Sequence, residues 1–145
     1  MESGQVRIEA HDYFTPMPFR GDLYFLRGVI REYDDNEAVK VLSLLATALR
    51  ENPKARIILN EIVIPTSIVD QARYNIAPSN YISDRQSNYA PMAHLMTMNC
   101  WTMFGGKERT YEEMNSVITR AGLKIENFYK FSIFTVMIEC CLADN

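Results

Sequence analysis

The sequence predicts an α/β fold in which helices flank a mixed sheet of about four or five strands. Three observations carry that expectation. An apolar run at Leu23–Leu26, a helical pattern from Ala38 to Leu49 and a second apolar run from Ala55 to Ile64 make a strand–helix–strand unit. A second helical pattern, Thr110 to Ala121, begins with a capping-box spacing. Two β-rich segments, Lys124–Phe131 and Ile133–Leu142, then close the chain as an antiparallel pair.

Each element has a local cause. Arg7–Ala10 reads as a short strand entering a loop, His11 to Pro18, whose two prolines forbid regular structure. Leu23–Leu26 is almost continuously apolar, which predicts a strand covered on both faces. Asp34, Asp35 and Asn36 supply capping side chains, and Ala38, Val41, Leu42, Leu45, Ala48 and Leu49 follow at helical spacing until Asn52-Pro53. Ile57, Ile58, Leu59, Ile62, Val63 and Ile64 form the next strand, ended by Pro65. A strand, a helix and a strand in this order imply parallel pairing with a right-handed crossover. Thr66 to Pro91 reads as a long loop with short helices, and Met92 to Phe104 as a buried helix, because it is apolar nearly all round. Gly105-Gly106 breaks that helix. Thr110 and Glu113 cap the next, and Gly122 ends it.

Composition narrows the function classes. The 145 residues suit one domain, and 48% of them are hydrophobic, enough for a core. A net charge of -3 with scattered charges argues against a nucleic-acid surface and a polybasic membrane patch. The first residues lack a basic stretch leading into an apolar run, so no secretory signal is expected, and Phe131 to Ala143 is too short and polar to span a bilayer. Three cysteines, Cys100, Cys140 and Cys141, make a disulfide framework improbable and suit the reducing cytoplasm. With only His11 and His94, no multi-histidine metal site is expected.

Several separated segments then match one family in the correct order. Asp22 to Ile30 resembles the fourth strand of plant- and fungal-type class I, S-adenosylmethionine-dependent small-molecule O-methyltransferases. Arg31 to Ala38 falls on that family's His-Asp-Trp-Ser-Asp segment. Leu59-Asn60-Glu61-Ile62-Val63-Ile64-Pro65 resembles its fifth strand, with a catalytic-site Glu before a proline. Gly105-Gly106-Lys107-Glu108-Arg109-Thr110 resembles a family signature, and His11 to Pro16 resembles the fungal form of the loop beside the adenine. The resemblance covers nearly the whole chain and implies a partial Rossmann-like methyltransferase fold, corresponding to the C-terminal half of such an enzyme. It carries a flavour of fungal secondary metabolism.

Two departures shape what the resemblance implies. These residues start at about the family's third strand and contain no Gly-x-Gly loop of the kind that lets backbone amides approach the cofactor. The expectation is therefore a protein that uses no cofactor. Arg31 also stands where the family has a histidine base, and arginine cannot be deprotonated in a protein.

The candidate catalytic residues are Glu61, Glu108, Arg31 and His94. Glu61 and Glu108 match the carboxylates that flank the family's histidine. They could orient a hydroxyl or act as acid and base if burial shifts them; otherwise they are relics paired with Arg31 or Arg27. Arg31 could polarise a carbonyl or enolate, or form a salt bridge to Glu61 or Asp35. His94 could be a new base, or simply a packed residue. Met98, Trp101 and Met103 lie on the helix that lines the family's acceptor pocket and are the candidate substrate-binding wall, although such a stripe is more often core.

Two functional classes follow. One is a cofactor-independent cyclase or isomerase, similar to a pericyclase, acting on a small polyketide or aromatic intermediate. The other is a non-catalytic partner of a pathway enzyme or ligand. A methyltransferase completed by another polypeptide is a third possibility. A homodimer is expected, because Leu23–Leu26 would lie at a sheet edge, open to pairing.

Overall fold

The computed structural model describes residues 6–64, 89–130 and 135–144; the side chains of 89–94 and 130 are outside the description. The expected loop from Thr66 and the start of the last strand, Ile133, fall outside it. The main sheet has four strands: β1 (Leu23–Arg27), β2 (Arg56–Glu61), β5 (Leu123–Lys130) and β6 (Val136–Leu142), in the order β1-β2-β6-β5. β1 and β2 are parallel, with Tyr24 opposite Ile57 and Leu26 opposite Leu59. β6 runs antiparallel to both neighbours, so the sheet is mixed, as expected.

Helix α1 (Asp35–Glu51) connects the parallel pair. Asp34 accepts the N–H groups of Asn36 and Glu37 at 2.8 and 2.9 Å, and Glu37 reaches back to the N–H of Asp34. These bonds satisfy donors that a helix start otherwise leaves free. Ala38, Val41, Leu42, Leu45 and Leu49 of α1 are buried. They join Ile57, Leu59, Ile138, Leu123, Val117 and Ile118 in one core between the sheet and two helices. The second of these is α3 (Tyr111–Arg120), where Thr110 and Glu113 make a reciprocal capping box. Gly122, at φ 80°, turns the chain into β5, a conformation that suits glycine.

The second apolar run is divided. β2 ends at Glu61, and β3 (Val63–Ile64) leaves the main sheet to pair in parallel with β4 (Arg109–Thr110). This small pairing brings the Gly105–Thr110 segment against the carboxyl end of β2, which is where the site forms.

Three expectations fail. Arg7–Ala10 forms no strand: no partner strand lies beside it among the described residues, and Ile8 is 89% exposed. β1 is not covered on both faces. Tyr24 and Leu26 enter the core, while Leu23 and Phe25 are 58% and 52% exposed, because β1 is the sheet edge and only one of its faces meets the helices. Helix α2 (Tyr89–Phe104) is not buried. Cys100 is enclosed, but Leu95, Met98, Trp101, Met103 and Phe104 are each more than half exposed. Its main neighbour among the described elements is the short turn Ile30–Glu32, which is too small to cover an all-round apolar helix.

Candidate active site

The site is built on the Ile30–Glu32 turn that links β1 to α1. Glu61, the last residue of β2, points beneath it and is 1% exposed. Its Oε1 accepts the backbone N–H of Ile30 at 3.0 Å, while Oε2 is buried without a hydrogen-bond partner among the described residues. Burial and the nearby Glu108 push the Glu61 carboxyl up to about 8, against the pull of the Ile30 N–H and of Arg31 and Arg109. Near neutral pH it therefore holds a proton.

Glu108 enters from the Gly105–Thr110 segment with a fully buried side chain. Arg31 Nη2 lies 2.5 Å from Glu108 Oε1. The contact is an ion pair with poor angular alignment: neither Glu108 oxygen has a hydrogen-bonding donor in proper geometry among the described residues. Burial raises the Glu108 carboxyl, and Arg31 and Arg109 oppose that rise. Arg31 is backed by α2 as well. Its Nη2 reaches the carbonyl of Met96 at 3.4 Å, and the thiol of Cys100 donates to the Arg31 carbonyl at 3.0 Å. The Arg31 side chain stays 19% exposed, so one edge of the guanidinium faces outward.

Glu61, Glu108 and Arg31 are thus brought together, and the partner of Arg31 is Glu108. Of the partners considered from sequence, Glu61, Glu108 and Asp35, the structure takes Glu108. Asp35 is held by Arg109 instead, whose Nε and Nη2 lie 3.0 and 2.9 Å from Oδ1. Arg27 is exposed at the end of β1. His94 lies on α2, but its side chain is outside the described residues. Met98 and Trp101 are not gathered around Arg31: at 100° per residue, Met98 projects from nearly the opposite face of α2 to Cys100. Met98, Trp101 and Met103 are 63%, 67% and 65% exposed.

Sequence reasoning missed Arg109, Gly106 and Cys100. Arg109 is fully buried and donates to the carbonyls of Ile30 and Tyr33, each at 2.9 Å. Gly106 passes so close beneath the turn that a Cβ there would collide with the Arg31 carbonyl and sit 2.6 Å from the Glu32 carbonyl carbon. The Gly-Gly-Lys-Glu-Arg-Thr signature held both residues, and the β-strand that carries Arg109 pairs only through tertiary contact.

A cavity of about 220 Å³ runs along the edge of β1, lined by His11, Tyr13, Met17, Leu23 and Phe25 among others. The carboxylate of Asp12 accepts the N–H of Phe14 at 2.9 Å. No cluster suited to a metal ion occurs among the described residues, and none of their helices is long and apolar enough to cross a membrane.

The mixed sheet, its antiparallel β6 between β2 and β5, and the acidic site at the end of β2 define a Rossmann-like methyltransferase fold. The O-methyltransferase NcsB1 of neocarzinostatin biosynthesis, solved with S-adenosylmethionine and a naphthoic acid, superposes with a TM-score of 0.72 at 23% identity, covering 97% of this chain and 34% of that one. A protein described as a pericyclic reaction enzyme superposes with a TM-score of 0.68 at 21% identity, covering 92% and 29%. The profile of the O-methyltransferase domain matches residues 1–124, and the chain belongs to that family. It is 33% identical over 144 residues to the O-methyltransferase mpaG' of Penicillium brevicompactum, covering 98% of this chain and spanning 31% of that protein's length.

Proposed function

We propose that this chain forms the substrate side of an O-methyltransferase-type domain of fungal secondary metabolism, and that it binds a polyketide or related aromatic intermediate and promotes its cyclisation or isomerisation without S-adenosylmethionine. The observation that supports this is the position of Arg31: its guanidinium lies against Glu108 and below α2, at the point where the family resemblance expects a histidine base. A guanidinium cannot take a phenol proton. It can donate to a carbonyl or enolate oxygen as charge develops there.

The chemistry proposed is unimolecular, so no atom enters or leaves. Arg31 would stabilise oxygen charge, and the protonated Glu61 would lend and recover a proton. Holding one conformer close to reaction geometry supplies much of the acceleration in such steps. The matched fungal relatives support the metabolite class, and the pericyclic enzyme's fold is compatible with the reaction class. A second reading, a non-catalytic ligand-binding partner, is favoured by the same ion pair, because Arg31 and Glu108 already neutralise one another.

Metabolite profiling of a deletion strain, then incubation of the accumulated compound with pure protein, separates these readings. Conversion without change of mass supports the proposal. Gain of a methyl group that depends on S-adenosylmethionine overturns it, and binding without conversion favours the partner role.

A further inference from the structure

We propose that Arg109 is the positioning residue of this site: by gripping the carbonyl of Ile30 it sets, through one peptide unit on each side, the Glu61 contact and the reach of Arg31. The case rests on a chain of contacts around a single residue. Ile30 is fully buried and held from both ends. Its N–H donates to Glu61 Oε1 at 3.0 Å, and its carbonyl accepts from Arg109 Nη1 at 2.9 Å. The next residue is Arg31.

The grip extends beyond Ile30. Arg109 Nη2 donates to the carbonyl of Tyr33 at 2.9 Å, so one guanidinium spans both ends of the turn. Its Nε donates to Asp35 Oδ1 at 3.0 Å, which ties the turn to the first residue of α1. Lys107 Nζ lies 3.6 Å from the other oxygen of Asp35 and 2.8 Å from Glu113, anchoring the far side in α3. The planar fork places its three nitrogens on three separate acceptors; a lysine ammonium carries its donors on one nitrogen and cannot reproduce that spread. Gly106 completes the seat, since its missing side chain lets the Gly105–Thr110 segment pass directly under the Arg31 and Glu32 backbone. Glu108 and Arg109 are neighbours on that segment. The segment that delivers Glu108 to Arg31 therefore also fixes the turn from which Arg31 extends.

Arg109 is buried away from the outward edge of Arg31, so it acts through the turn. The inference rests on the reading of Arg31 and Glu61 as working groups, but its test needs no substrate. In the full chain with labelled carboxyls and amides, the Ile30 amide proton should shift as Glu61 titrates near pH 8, because that N–H donates to the ionising group. R109K keeps the positive charge that, with Arg31 and the neighbouring Glu108, sets the local field. It should shrink the Ile30 excursion to less than roughly half of wild type and raise the Glu61 midpoint, since the buried carboxylate loses a donor. A folded R109K that keeps the full Ile30 excursion at the wild-type midpoint overturns the proposal. So does a midpoint that falls toward the ordinary carboxylate range, the sign of a core opened to water. Should R109K not fold, D35N removes one anchor of the fork at a partly exposed position; a reduced Ile30 excursion supports the proposal and an unchanged one overturns it. Failure to turn over a metabolite would leave these titrations unaffected, so the two ideas fail separately.

Discussion

Arg31 Nη2 and Glu108 Oε1 stand 2.5 Å apart, joining the β1–α1 turn to the Gly105–Thr110 segment, and the Glu108 end of the pair is wholly buried. Removing one partner of such a pair leaves a charge that burial disfavours, which costs about 3–5 kcal/mol in comparable sites. R31M should therefore destabilise the protein by roughly that amount at neutral pH, less whatever Glu108 recovers by taking up a proton. The double variant R31M/E108Q should regain much of the loss. Urea unfolding of the wild type, both single variants and the double variant gives the coupling. A double-variant loss equal to the sum of the two single losses would mean that the pair is not energetically joined.

Glu61 predicts a pH dependence of definite sign. Its carboxyl in the folded chain titrates at about 8, above the ordinary value of 4.5. Between those values the native form holds a proton that the unfolded chain has lost. Its contribution to stability is therefore complete below pH 4.5 and is lost as pH rises through 8. E61Q carries a permanent neutral group and escapes this loss. Relative to wild type, E61Q should be similar at acid pH and gain progressively to on the order of a few kcal/mol by about pH 9. Asp35 and Glu113, whose carboxyls are held low by Arg109 and Lys107 contacts, act in the opposite sense, but they cancel in the comparison. Parallel curves for the two proteins across this range would show that Glu61 titrates normally.

Restoring histidine at position 31 should not create methyl transfer in this chain. R31H returns a group that can take a proton, yet these residues still contain no Gly-x-Gly loop to approach the methyl donor. Titration calorimetry should detect no micromolar S-adenosylmethionine binding by the 145-residue chain. Label transfer from that donor to a panel of phenols should stay at background. Stoichiometric binding, or labelled product with R31H, would refute this.

The edge of β1 predicts self-association. Leu23 and Phe25 leave more than half their surface open on a strand that, among the described residues, pairs with β2 alone. Unpaired edge amides beside apolar side chains invite a further strand. A two-fold pairing of β1 with its copy, centred on Phe25, keeps Leu23 and Phe25 of both chains on one face and Tyr24 and Leu26 on the other. Light scattering after size exclusion at low micromolar concentration should give a dimer, and F25K should dissociate it. A monodisperse wild-type monomer would show that the edge needs no partner.

Much of this architecture was legible locally. The 3.6-residue spacing from Ala38 to Leu49, the Asp34 and Thr110 caps and the apolar runs of β2 and β6 each specify an element within a few residues, because helix and strand periodicity and end-capping are short-range effects. The family resemblance brought Arg31, Glu61 and Glu108 to notice without saying how they meet. What only the tertiary structure decided was partnership and exposure. Sequence allowed Arg31 to pair with Glu61, Glu108 or Asp35, and either glutamate to pair with Arg27 instead; packing Gly106 under the turn put Glu108 in reach of Arg31, and Arg109 claimed Asp35. The apolar pattern of α2 and of Leu23–Leu26 likewise implied burial, but burial requires a covering surface, and the described residues leave more than half of Met98, Trp101, Leu23 and Phe25 open. An apolar side chain states a preference in its own sequence; whether the preference is met depends on what the rest of the molecule places against it.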